Sequence, residues 1–258
     1  MIDLEKIDKT FKDYVSEYDF TNITIKRKYE HTLRVKDNCK KIANALNLSL
    51  EDTNLLILIG YLHDIGRFLQ MKRYNSIVDS KTIDHADLGA EILFKDNLIR
   101  RFIDDNKYDD IIYKAVKYHN KMNLNYELTS REELFCKAIR DADKLDIFYV
   151  ATYDNNIKDF YILPYVEGAK LNPKVKEDFD SHRLVDLRNR KTAIDKLANI
   201  LAFVYDLNLQ ASKKIITNDT IDNIINTFIK SFNVKDTSEC LYLKDNILEY
   251  LNKGLSRN

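Results

Sequence analysis

Hydrophobic residues recur along most of the chain at three- and four-residue steps, the spacing that gathers them on one side of an α-helix. Leu4, Ile7, Phe11, Tyr14, Val15 and Tyr18 predict an amphipathic helix over residues 3–19. A second helix is predicted from Thr24, read as its N-cap, to about Asn47, with His31, Val35, Asn38/Cys39, Ile42 and Leu46 on its buried stripe. Ser49 followed by Asp52 resembles a capping box that opens a third helix. Its run Leu55 to Leu62 is apolar nearly all round, which predicts the most enclosed helix of the protein. His63 shares a face with Leu56, Ile59 and Gly60. Gly60 lets a neighbouring helix approach, and Gly66 is placed as a left-handed C-terminal cap.

Residues 67–83 lack a period and are polar, so they read as a long loop, of the kind more often functional than idle. Asp84 then serves as an N-cap and puts His85 in the first turn of a helix, where the positive helix end favours a neutral ring. Further helices are predicted near 88–95, over Leu98–Asn106 and over Tyr108–Asn120. His119 ends the inner face of the last, after Ile111/Ile112 and Ala115/Val116. Ser130 and Glu133 form a second predicted capping box, opening a helix Glu132–Val150 in which Phe135, Ala138/Ile139, Ala142/Asp143 and Asp146 share a face. Residues 151–175 hold Pro164 and Pro173 and read as an irregular connection, after which 176–252 return to helical spacing. No segment alternates as a strand would. The expected fold is all-α, with a helical core over 1–150 and a helical extension over 151–258 packed on it as one compact domain.

Composition narrows the function classes. With 5 Gly and 2 Pro in 258 residues, turn-rich β folds and glycine-dependent nucleotide folds are disfavoured. The 41 basic and 41 acidic residues cancel, which argues against bulk electrostatic binding to nucleic acid or a membrane. Cys39, Cys136 and Cys240 form no CxxC and read as reduced core thiols of a cytosolic protein. The longest apolar run is too short to cross a bilayer, and the N-terminus has no signal-peptide core, so a cytoplasmic protein is expected.

The candidate chemistry lies in the histidines. Four of the five fall within residues 31–119, each on an apolar face or at a helix end, and His63 is followed at once by Asp64. Burying several imidazoles and carboxylates without partners is costly, and a metal ion removes that cost. No Ser-His-Asp or Cys-His set competes as a nucleophilic site.

The order His31 … His63-Asp64 … His85 … His119 … Asp143, with the local forms His63-Asp64-Ile65-Gly66 and Arg140-Asp141-Ala142-Asp143-Lys144-Leu145-Asp146, resembles the HD superfamily of metal-dependent phosphohydrolases over about residues 25–150. The resemblance implies an HD-domain helical bundle in which His31, His63, Asp64 and Asp143 bind one divalent ion. His85 and His119 would bind a second, with Asp64 bridging. Mixed nitrogen and oxygen ligation suits Mn, Fe, Co or Ni, with Zn or Mg also compatible. Two ions about 3.5–4 Å apart can activate a bridging water as hydroxide, orient it in line with phosphorus and neutralise phosphoryl charge.

Of the nearby cations, Arg67 and Lys144 are the first candidates to grip phosphate and assist Asp64 in catalysis. Lys72 and Arg73 are further substrate-binding candidates; the competing reading for them is a solvated loop, and for Lys144 a salt bridge to a neighbour such as Asp141. The implied substrate is a small phosphate mono- or diester, a nucleotide first among them. Relatives with the same six ligands include diiron oxygenases, and a nucleotide sensor without turnover is a third reading. The Gly-Tyr-Pro element of relatives that cut cyclic dinucleotides is absent, and Arg67 stands where many relatives have Lys. The C-terminal third, whose one histidine is His182, reads as scaffold or as a homodimer surface.

Overall fold

The computed structural model describes residues 2–121, 123–124, 126–153, 161 and 163–255. Most of these are helical, and no strand occurs among them. The chain divides into two compact units, Met1–Asp143 and Lys144–Asn258.

In the first unit, α1 (Leu4–Val15) is capped by Asp3, whose side chain accepts from the N–H groups of Glu5 and Lys6, and it buries Ile7, Phe11, Tyr14 and Val15. Helix α2 (Ile23–Ala45) begins one residue before the expected cap: Asn22, not Thr24, is the N-cap, and its side chain accepts from the Thr24 N–H. Ser49 caps α3 (Leu50–Leu62) by accepting from Asp52 N–H at 3.1 Å. Every residue from Leu55 to Leu62 is buried, as the unbroken apolar run requires. A Cβ on Gly60 would lie 2.8 Å from Lys36 Cα, so this glycine sets how closely α2 and α3 meet.

The largest departure from the sequence reading follows. Residues expected to be a loop form α4 (Ile65–Tyr74). Helix α3 stops at Leu62, the chain breaks direction at His63-Asp64, and α4 starts at once. Asp64 there has φ −105° and ψ 15°, between the helical and extended regions. Gly66 is therefore not a left-handed cap; it sits inside α4, where a Cβ would lie 2.3 Å from the His85 carbonyl oxygen. The left-handed residue is Asn75, which ends α4 at φ 50°. This helix is hard to read because its buried positions Ile65 and Phe68 span one turn, and the next inward residue is the polar Gln70. The remaining loop holds a single 3₁₀ turn, Asp79–Lys81.

Asp84 caps α5 (His85–Phe94) through the N–H groups of Ala86 and Asp87. Helix α6 (Ile99–Phe102) is much shorter than expected, and α7 (Asp109–Tyr118) follows. Helix α8 (Ser130–Tyr153) opens with a capping box one residue earlier than read, since Thr129 N–H donates to Glu132 at 2.8 Å and Glu132 N–H to Thr129 Oγ1 at 3.3 Å. The division between the two units falls within α8.

The second unit contains α9 (Pro173–Asp180), α10 (Ala193–Ala202), α11 (Gln210–Ile215), α12 (Asn218–Phe232) and α13 (Ser238–Leu255). Pro173, expected in an irregular stretch, instead opens α9 at the position where its missing N–H costs nothing. Part of that stretch, 154–160 and 162, lies outside the described residues. Buried Asp195 ties the start of α9 to the start of α10, accepting from the N–H groups of Asn172, Lys191 and Thr192. All three cysteines are free and buried, and no helix among the described residues is long and apolar enough to cross a membrane.

Candidate metal centre

Five helices or helix ends of the first unit bring six side chains together. His31 comes from the interior of α2, the His63-Asp64 pair from the break between α3 and α4, and His85 from the first position of α5. His119 follows the last residue of α7, and Asp143 lies in α8. His63, Asp64, His85 and His119 are buried, while His31 and Asp143 are partly exposed.

The contacts separate into two sets that meet at Asp64. On one side, His31 Nε2 lies 3.2 Å from His63 Nε2, 3.4 Å from Asp64 Oδ2 and 3.2 Å from Asp143 Oδ1. On the other, His85 Nε2 lies 3.0 Å from His119 Nε2 and 3.2 Å from Asp64 Oδ1, and His119 Nε2 lies 3.7 Å from that same oxygen. Donors each about 2.0–2.2 Å from a shared ion stand about 3–3.5 Å from one another, so this is the spacing of two coordination shells. Each of two triads, His31/His63/Asp64 and Asp64/His85/His119, has its ligand atoms within 4.8 Å of one another.

The outer ring nitrogens fix which way the lone pairs point. His63 Nδ1 donates to the Gly60 carbonyl at 2.8 Å and His119 Nδ1 to the Val116 carbonyl at 2.7 Å, since a carbonyl can only accept. His85 Nδ1 likewise donates to Asp79 Oδ2 at 2.6 Å. With Nδ1 protonated, each ring in its neutral form turns an Nε2 lone pair inward. Two such lone pairs 3.0 Å apart repel unless a cation lies between them, so His85 and His119 fit a metal ion held between them.

The electrostatics agree. Burial pushes His63 down to about 4, which leaves it neutral at pH 7. Burial works against the charge of Asp64, but the Lys28 ammonium and the surrounding imidazoles outweigh it and hold the carboxyl well below the usual range. Asp143 is also depressed, with His31 overcoming the effect of burial. His85 behaves differently from the sequence expectation. Burial pushes its pKa down, yet hydrogen bonds to Asp64 and Asp79 raise it above the ordinary value. Two carboxylates on opposite ring nitrogens act at shorter range than the helix end does.

The candidate phosphate-gripping cations are placed less uniformly. Arg67 reaches the site, with Nε 3.6 Å from Asp64 Oδ1, but its Nη1 is committed to Asp79, Gln70 and the Ile77 carbonyl at 2.6–3.0 Å. Lys72 and Arg73 are exposed in the last turn of α4, and Lys72 Nζ lies 5.5 Å from the centre of the Tyr18 ring. Lys144, in the second unit, pairs with Asp206 at 2.8 Å. His182 also lies in that unit, beside the rings of Tyr205 and Tyr250.

Three residues that sequence reasoning missed shape the site. Lys28 Nζ lies 2.8 Å from Asp64 Oδ2; it is three residues before His31 on α2, a spacing that could have revealed it. Asp79 holds both Arg67 and His85. Arg140 donates to the carbonyls of Tyr118, His119 and Lys121, satisfying the end of α7 where His119 sits.

Asp84 supports the same region from outside. Burial raises its carboxyl, but Lys121, the Asp87 N–H and Asn120 bring it to about 2. A folded value below the ordinary 3.8 contributes stability that is present above that pH and is lost as pH falls towards 2. Metal-free Asp84→Asn protein is therefore expected to show a flatter fall in urea midpoint between pH 4 and pH 2 than wild type.

Residues 29–147 match the family model of the HD domain. Comparison with curated proteins and with solved structures gave no match. HD domains bind divalent metals, and this stretch carries the histidine and aspartate groups that could hold them. Residues 29–147 therefore form an HD domain.

Proposed function

We propose that this protein is a metal-dependent phosphohydrolase acting on a small phosphate mono- or diester, a nucleotide first among the candidates, at a site for two divalent ions. The observation that carries the reading is Asp64, whose two oxygens face different ligand sets: Oδ2 faces His31, and Oδ1 faces His85 and His119. A carboxylate so divided is suited to bridging. When bound, a metal pair supplies an activated water and charge neutralisation for phosphoryl transfer.

The chain's own residues divide the remaining work. His31, His63, Asp64 and Asp143 would hold one ion, and His85, His119 and Asp64 the other. The carbonyls of Gly60 and Val116 keep His63 and His119 in the ligating tautomer. Lys28, partly exposed beside Asp64, is the cation best placed to meet an incoming phosphate, since an ammonium provides a point charge for it. Arg67 holds the 77–79 segment through Nη1, and its Nε lies 3.6 Å from Asp64 Oδ1. No cation of this set needs to act as a nucleophile.

The test is direct. Protein loaded with Mn²⁺, Co²⁺ or Fe²⁺ is offered p-nitrophenyl phosphate, its bis-ester and a nucleotide panel. Release of orthophosphate or alcohol without oxygen uptake is the expected result. Oxygen consumption by the iron form would replace the hydrolase with an oxygenase; absence of turnover, with nucleotide-dependent melting shifts, would replace it with a sensor.

A further inference from the structure

Resting on the two-ion reading, we infer that Asp79 is a positioning residue that sets the affinity of the His85-side ion by clamping His85 and Arg67 at the same time. Asp79 Oδ2 lies 2.6 Å from His85 Nδ1, and its other oxygen, Oδ1, lies 2.6 Å from Arg67 Nη1 and 3.0 Å from Gln70 Nε2. The carboxylate has an acceptor role on both sides. An ionised carboxylate only accepts, so it fixes the proton on His85 Nδ1 and leaves Nε2 to face Asp64 and His119.

The second half of the clamp holds the carboxylate itself in place. Asp79 lies on a 3₁₀ turn, not on a long helix, and α4 supplies what the turn lacks. Arg67 also donates to the Ile77 carbonyl, and Gln70 donates to the Ile83 carbonyl and Thr82 Oγ1 at 2.8 Å each. Gln70 is fully buried, which explains a polar residue on the inward side of α4. Two α4 side chains thus make five polar contacts with the segment 77–83, the two N–H bonds of the Gln70 amide being shared among three acceptors. His85 is the next ligand along the chain. The opposite ion site rests chiefly on other elements: His63 donates to a carbonyl of its own helix, Asp143 comes from α8, and Asp64 alone is shared with the His85 side.

The isosteric variant Asp79→Asn discriminates because an amide accepts on one side only. With its oxygen towards His85, it sets an NH₂ against Arg67 and Gln70, two donors. Flipped, it offers N–H to His85 Nδ1 and drives the proton to Nε2, where it blocks ligation. Mn²⁺ or Co²⁺ titration of metal-free protein, followed by calorimetry and by metal content after gel filtration, reads the effect. Wild type is expected to bind two ions. Asp79→Asn and Asp79→Ala should keep one ion at wild-type affinity and bind the second about 10–100-fold more weakly. Metal-free melting temperatures verify that the variants are folded. Two ions bound by a folded Asp79→Asn with unchanged affinities would overturn the inference. Equal weakening of both ions would also overturn it, since that is the mark of a merely structural role. A wild type that binds fewer than two ions would instead sink the reading on which the inference rests.

Discussion

Asp64→Ala is expected to strip both ions from the protein. Its two oxygens lie 3.2–3.7 Å from Nε2 atoms on opposite sides, so one substitution removes a ligand from each set. The His85 side would retain two imidazoles and no carboxylate facing their Nε2 atoms. Disturbing a residue behind a ligand already weakens metal binding by about 10–100-fold, so removing a bridging ligand should exceed the upper end of that range. His119→Ala, by contrast, should release mainly one ion.

The fold should survive Asp64→Ala. The attractions that hold its carboxyl well below the usual range also stabilise the metal-free protein, so the variant should fold but melt below wild type without metal. The readable difference is in the metal response. Each ion at a hundred times its Kd raises wild-type stability by about 2.7 kcal/mol. Asp64→Ala should gain almost nothing in melting temperature when Mn²⁺ or Co²⁺ is added. Metal content equal to wild type would rule out the shared-ligand assignment.

The contrast between ligands and supports explains what could be read in the sequence. His31, His63 and His119 stand on apolar stripes or at their ends, where a polar residue is conspicuous, and Asp84 announces the helix that starts at His85. Asp143 follows the inward Ala142 on a helix with a clear period. The supports carry no such contrast. Asp79 and Arg67 are polar residues in a polar stretch, and nothing local distinguishes a clamp from a solvated loop. Helix α4 was hidden for the same reason, since its buried Gln70 is matched by hydrogen bonds and not by apolar neighbours. Gly66 misled in a more specific way. A glycine after an apolar run usually marks a left-handed end, but here the requirement is space, which depends on a segment twenty residues away in sequence.

That requirement yields the largest expected stability loss. In Gly66→Ala the new Cβ would lie 2.3 Å from the His85 carbonyl oxygen, 2.7 Å from Gly89 N and 3.1 Å from Gly89 Cα. All three are backbone atoms, so no side-chain rotation relieves the contact. Helices α4 and α5 must separate, and the overpacking should cost about 3 kcal/mol, outweighing alanine's helix preference of about 1 kcal/mol. The net loss of about 2 kcal/mol should lower the melting temperature by roughly 4–8 °C. Gly89→Ala is the matched control on the facing helix. Its Cβ would meet Ile65 Cγ2 and Val116 Cγ1 at 3.4 Å, ordinary contact, so the same helix preference should leave it at or above wild-type stability. Equal melting temperatures for the two variants would show that the close approach is not what Gly66 serves. Because α5 begins at His85 and α4 begins directly after Asp64, the displacement also parts two ligands of one ion. Gly66→Ala should therefore lose the His85-side ion before the other, although its own side chain touches neither.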